Sequence, residues 1–186
     1  MHSTVKTMVA AAMMAAVLCV ISPFSLPIGP VPISLATFGV MLCGACLGVL
    51  GTVSVAVYLL LGAVGLPVFA GFAGGLSRFV GPTGGYLVGY LPLALITGIF
   101  AGLAMKKTGA MRYVLLVAGM VIGTIVLYAL GTVWFMSMSG KALGAALSLC
   151  VIPFLPGDCL KIAAVTLLAP KINGALKKSG LGAEKE

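Results

Sequence analysis

The chain is a succession of long apolar runs, separated by short clusters of glycine, proline and lysine. Each run approaches the roughly 20 residues that a helix needs to cross a bilayer. A membrane β-barrel would instead show segments of about ten residues with alternating polarity. The runs predict six helical spans. The first covers Thr7–Ser22 and stops before Pro23, where a proline-rich loop, Phe24–Pro32, begins. The second covers Ile33–Leu47 and the third Val49–Gly65, parted by an uncharged tight turn at Gly48–Gly51. A glycine-rich connection, Leu66–Thr83, leads to the fourth span, Gly84–Met105. The fifth covers Tyr113–Met136. After a connection holding a short interfacial helix, Lys141–Leu149, the sixth covers Gly157–Leu176 with Pro170 near its end. The expected fold is an all-α membrane protein of six transmembrane helices, one domain over residues 1–186.

Composition strengthens this reading. Of the 186 residues 61% are hydrophobic and 8% charged, too few polar groups to cover a soluble globule. The net charge of +8 suits topology signals and anionic lipid headgroups. It comes with no basic stripe interleaved with aromatics, so nucleic acid is not an expected partner. With six spans both termini share one side. Lys6, Lys106, Lys107, Arg112, Lys171, Lys177, Lys178 and Lys185 then face that side, against Arg78, Lys141 and Lys161 on the other. The bias predicts cytoplasmic termini. The first segment reads as a retained helix and not a cleaved leader.

Between Met1 and Ala183 the chain carries one acidic side chain, Asp158, with Lys161 three residues on. A charge within an apolar span costs roughly 2.5–3.5 kcal/mol on insertion scales. At i and i+3 of a helix the two share a face. They are a candidate ligand site, and the plainer alternative is an ion pair that holds the sixth helix in place.

The connection around Arg78 is the second candidate. Its glycines permit close backbone approach. Gly84 and Gly85 follow Thr83 at a helix start, where free N–H groups receive anions, and Phe69, Phe72 and Phe79 supply apolar walls. Small residues at Ala11/Ala15 and Ala12/Ala16 mark a face for close helix packing, within the chain or with a separate subunit. Tyr128 and Trp134 read as an interfacial or packing aromatic pair. Cys43-Gly-Ala-Cys46 lies inside an apolar run and the only histidine is His2, so these cysteines read as packing residues and not metal ligands. A Walker motif is missing, as is a histidine to activate a nucleophile. Neither enzymatic activity nor a cofactor is expected.

Four stretches in order carry a resemblance: Leu26-Pro-Ile-Gly-Pro-Val-Pro-Ile33, Gly65-Leu-Pro-Val-Phe-Ala-Gly71, Gly81-Pro-Thr-Gly-Gly-Tyr-Leu-Val-Gly89 and Pro156-Gly-Asp-Cys-Leu-Lys161. Together they resemble the BioY family, the biotin-specific substrate-binding (S) components of energy-coupling factor (ECF) transporters. The resemblance implies a six-helix vitamin-binding fold in a prokaryotic plasma membrane, with the site near the outer face. It also implies a transmembrane coupling subunit and two cytoplasmic ATPases as partners, with Ala11, Ala12, Ala15 and Ala16 on the docking helix. Many relatives carry glutamine where this chain has Ser34-Leu-Ala-Thr37, which leaves that polar contact to Thr37.

Matching biotin's groups to these residues gives an expected arrangement. Asp158 accepts from a ureido N–H and Lys161 donates to the ureido carbonyl. Arg78 pairs with the carboxylate, for which its forked donors are suited. Thr83 or Tyr86 adds a hydrogen bond. The reverse orientation places the carboxylate on Lys161. The competing functional readings are an S component for another small vitamin and a non-transporting membrane scaffold.

Overall fold

A computed structural model of the protein describes residues 2–26 and 31–179. Its elements, in order, are α1 (His2–Ile21), β1 (Ser25–Leu26), β2 (Ile33–Ser34), α2 (Ala36–Leu47), α3 (Gly51–Ala63), α4 (Ser77–Val80), α5 (Gly84–Met105), α6 (Ala110–Ser139), α7 (Leu143–Cys150) and α8 (Leu155–Lys178). Six principal helices, α1, α2, α3, α5, α6 and α8, correspond to the six predicted spans. By length and hydropathy four stretches are long and apolar enough to cross a membrane: Ala36–Ala63, Gly84–Met105, Ala110–Ser139 and Leu143–Leu176. Val5–Ile21 is a shorter apolar helix.

The first of those stretches contains two helices. Gly48 takes φ 61°, a left-handed value that favours glycine, and a single 3-10 turn over Gly48–Leu50 reverses the chain. A Cβ on Gly51 would strike the Cys43 carbonyl, so α2 and α3 lie backbone to backbone as a hairpin. Glycine sets the other close approaches too. A side chain at Gly98 of α5 would meet the Gly48 carbonyl, and one at Gly131 of α6 would meet the Tyr86 ring. The α5–α6 pairing is the most extensive in the bundle, and α5 also packs on α2 and α3. Helix α5 is therefore the central post.

Three features differ from the sequence reading. Helix α2 starts at Ala36, not Ile33, because Ile33–Ser34 pairs antiparallel with Ser25–Leu26 in a short ribbon. Leu35 N–H donates to the Phe24 carbonyl at its base, and the Ser34 hydroxyl accepts from Ala36 N–H at the helix start. Residues 27–30 of the proline-rich motif lie outside the described residues, as does Lys185. Helix α8 begins at Leu155, not Gly157, and runs through Pro170 as expected but on to Lys178. Proline in a membrane helix is tolerated where neighbouring groups satisfy the freed carbonyl.

The third concerns α1. Ala10, Ala11, Met14, Ala15 and Leu18 are buried, while Met8, Ala12, Met13, Ala16 and Val17 are exposed. The Ser54 hydroxyl of α3 donates to the Ala11 carbonyl at 2.9 Å. The four alanines thus divide: Ala11 and Ala15 pack inside the chain, and only Ala12 and Ala16 present a small-residue strip outward. Cys43 and Cys46 are buried on α2, with the Cys43 thiol directed at the Met14 carbonyl.

Candidate ligand site

The start of α8 positions the two charges. Asp158 lies in the first turn, where unpaired N–H groups and the helix dipole favour a carboxylate. One turn on, Lys161 Nζ reaches Asp158 Oδ1 at 2.9 Å, the one ion pair among the described residues. Both residues are nearly sealed from solvent, at 3% and 8% exposure for Asp158 and Lys161.

A buried ammonium requires acceptors for its three protons. Lys161 has three: Asp158 Oδ1, the Ser34 carbonyl at 2.8 Å and Thr37 Oγ1 at 2.7 Å. The Thr37 hydroxyl in turn donates a hydrogen bond to Asp158 Oδ1 at 3.4 Å. Asp158 Oδ2 accepts from the Tyr128 hydroxyl of α6. Four elements, β2, α2, α6 and α8, therefore meet on one closed polar network. The ribbon that shortens α2 presents the Ser34 carbonyl to it.

This network lines a cavity of about 440 Å³ at one end of the bundle. The volume falls in the range of about 300–1,000 Å³ typical of small-molecule sites. The cavity walls include Thr83 and the first half of α5 (Tyr86, Tyr90), the second half of α6 (Leu127, Tyr128) and the start of α8. At the opposite end of the bundle, Met105 of α5, Arg112 of α6 and Asn173 of α8 come together. The cations Lys106, Lys107 and Arg112 thus sit away from the cavity.

Seven of the predicted site residues line the cavity: Asp158, Lys161, Thr37, Phe69, Thr83, Tyr86 and Arg78. Arg78, on the short helix α4, is exposed, and its guanidinium has no hydrogen bond or ion pair with the described residues. The connection that carries it is strapped down. Gly71 N–H donates to the Pro23 carbonyl at 2.9 Å, Gly75 N–H to the Gly62 carbonyl at 2.7 Å, and Trp134 Nε1 to the Gly81 carbonyl at 3.0 Å. Phe69 sits edge-on between Tyr58 and Phe79, with centroids 5.5 and 5.7 Å away.

Four predicted residues lie elsewhere, among them Phe79, which packs edge-on against Phe69 outside the lining. Phe72 is 62% exposed and packs edge-on against Phe24, outside the lining. Gly84 and Gly85 face α6 and α4 instead of the cavity. A Cβ on Gly84 would hit the Phe79 carbonyl, and one on Gly85 would hit Trp134. The Gly84 N–H already donates to the Gly81 carbonyl. These glycines let α5 approach its neighbours closely.

Tyr128 and Trp134 serve different places: the tyrosine bonds Asp158 and the tryptophan bonds the loop before α5. Sequence reasoning missed Tyr128, Ser34, Tyr58 and Tyr90 as lining residues. A signal for Tyr128 was present, since Thr124, Tyr128 and Thr132 recur every four residues along one face of an apolar helix. Replacing Tyr128 by Phe removes one hydrogen bond from a buried carboxylate. Bonds to charged groups contribute about 1.5–3 kcal/mol, so stability is expected to fall by that amount and the thermal unfolding midpoint in detergent with it. An unshifted unfolding midpoint would mean that the hydroxyl does not support the carboxylate.

Comparisons with known proteins agree with this architecture. The BioY family model matches residues 1–178. The biotin transporter BioY of Thermotoga maritima is 38% identical over 169 residues, covering 90% of this chain and 96% of that protein. The biotin transporter BioY of Rhodobacter capsulatus is 40% identical over 161 residues, covering 80% and 82%. A crystal structure of the S-component for biotin from an ECF-type ABC transporter superposes with a TM-score of 0.82 at 30% identity, covering 93% of each chain. Its fold, its apolar helices and these relatives identify the chain as a membrane transport protein that belongs to the BioY family.

Proposed function

We propose that the chain binds biotin in the 440 Å³ cavity and works as the substrate-binding component of an ECF-type transporter. The observation that carries this reading is the combination of a sealed Asp158–Lys161 network with an Arg78 that has no partner among the described residues, on the wall of the same cavity. Biotin presents a neutral urea at one end and a carboxylate at the other. The buried network suits the first and the exposed guanidinium the second.

Hydrogen-bond capacity refines the roles. Asp158 Oδ2 accepts one bond, from Tyr128, and a carboxylate oxygen has room for a second. A ureido N–H fits there without displacing anything. Lys161 is saturated, so donation to the ureido carbonyl is an exchange in which that carbonyl replaces Ser34 or Thr37 as acceptor. Thr83 and Tyr86 border the ligand. Because the Tyr86 hydroxyl already donates to the Cys150 carbonyl at 2.9 Å, it can only accept from the ligand. Gly84, Gly85 and Phe72 shape the surroundings without touching it.

The finer partner and membrane assignments belong to the same proposal. The partners are a transmembrane coupling subunit and two cytoplasmic ATPases, with the outward strip of Ala12 and Ala16 as the docking face. Ala11 and Ala15 support that helix from inside. The chain forms a single membrane domain in the plasma membrane of a prokaryote. The termini and the Lys106/Lys107 end are cytoplasmic, and the cavity faces out.

The test is equilibrium binding of labelled biotin to the purified chain in nanodiscs, with unlabelled biotin as competitor. Saturable, competed binding near one ligand per chain is expected. A folded sample that binds no biotin would sink the reading and send the search to other vitamins.

A further inference from the structure

The cavity is graded in exposure. Asp158, Lys161, Tyr86 and Tyr90 on its lining are buried, whereas Ser77, Arg78 and Pro82 on the same lining are exposed. The first group forms a floor inside the bundle and the second a rim open to solvent. The two recognition elements for biotin therefore differ in weight. Polar contacts at the floor are made out of water and are costly to leave unmade. An ion pair at the rim is screened and changes an equilibrium by about fivefold at most.

Resting on the biotin reading, we propose that this site selects the ureido ring and leaves the carboxyl end of the tail in solvent, so that biotin amides and esters formed at that carboxyl are also ligands. Converting the carboxylate to an amide removes one charge from the Arg78 pair. The amide carbonyl still accepts from the guanidinium, and whatever is attached beyond it extends past exposed Ser77 and Pro82. The ligand class is thus the intact bicyclic ring on its valeryl chain, free or acylated onto an amine such as the lysine side chain. Recognition that instead placed the carboxylate on Lys161 would bury the tail and exclude every such conjugate.

The experiment is displacement of labelled biotin by biotin, biotin methyl ester and biotinyl-lysine, on the wild-type chain and on Arg78→Gln. Arg78 has no partner among the described residues, so its replacement leaves the helix bundle intact. On the wild type, ester and biotinyl-lysine are expected to displace the label within about tenfold of free biotin. On Arg78→Gln all three are expected to agree within about twofold, because the rim no longer senses the charge. Biotin binding that biotinyl-lysine fails to displace even at hundredfold higher concentration overturns this proposal and leaves the biotin reading standing. An Arg78→Gln chain that keeps the wild-type preference for the free acid overturns the placement of the tail. Absence of saturable biotin binding overturns the reading beneath and this proposal with it.

Discussion

Replacing Lys161 with methionine is expected to lower folding stability by about 3–5 kcal/mol, the cost of stranding one member of a buried ion pair. Methionine fills similar space, so the loss comes from charge. Asp158, at 3% exposure, loses its counter-ion, and the Ser34 carbonyl and Thr37 hydroxyl lose the donor they share. The companion variant separates fold from function. Lys161→Met combined with Asp158→Leu removes the pair entirely, and such replacements are commonly neutral or stabilising. The double variant should therefore unfold near the wild-type midpoint in detergent while failing to bind biotin. That pattern would mean that the pair serves the ligand. A double variant as unstable as the single one would assign the pair to the architecture.

The second large effect is on affinity. Asp158→Asn keeps the size of the side chain and an oxygen for Tyr128, but removes the charge that attracts a ureido N–H. Biotin affinity is expected to fall at least tenfold, about 1.4 kcal/mol. The comparison requires folded protein, since Lys161 keeps only the Ser34 carbonyl and Thr37 as strong acceptors in this variant. Titration of a monodisperse sample gives the dissociation constant directly. Wild-type affinity in folded Asp158→Asn would remove this carboxylate from the binding site.

The charges were legible in the sequence because a membrane makes them expensive. Asp158 and Lys161 announce themselves by surviving in an apolar run, and their i, i+3 spacing alone places them on one helix face. Helix α5 was legible at both ends, with a Gly-Gly start and a Lys-Lys stop marking abrupt changes in polarity. The beginning of α2 was not. Ile33 and Ser34 suit a helix as well as a strand, and the ribbon that takes them is set by main-chain bonds to 24–26 that leave no mark on residue type. Glycine posed a related difficulty. Gly84 and Gly85 signal close approach, but one dimension does not say to what, and Trp134 and the Phe79 carbonyl proved to be the neighbours. Likewise the alanine repeat on α1 marks two adjacent strips of one helix. Only the packing of Ser54 against Ala11 tells the inward strip from the outward one. Tyr128 was hidden by chemistry. An aromatic ring in an apolar helix is unremarkable until its hydroxyl finds a carboxylate thirty residues away.

The closed network around Lys161 has a kinetic side. Its acceptors come from β2, α2 and α8, with α6 joined through Tyr128, so the floor is assembled before a ligand arrives. A guest meeting a preassembled floor orders few side chains, and most of its contact energy is kept as affinity. Affinity of this kind resides in slow departure more than in fast arrival. On the biotin reading, a chain built this way is expected to load unaided and to unload slowly. On the same reading, the rate of uptake is expected to follow how readily these four elements separate to release the ligand.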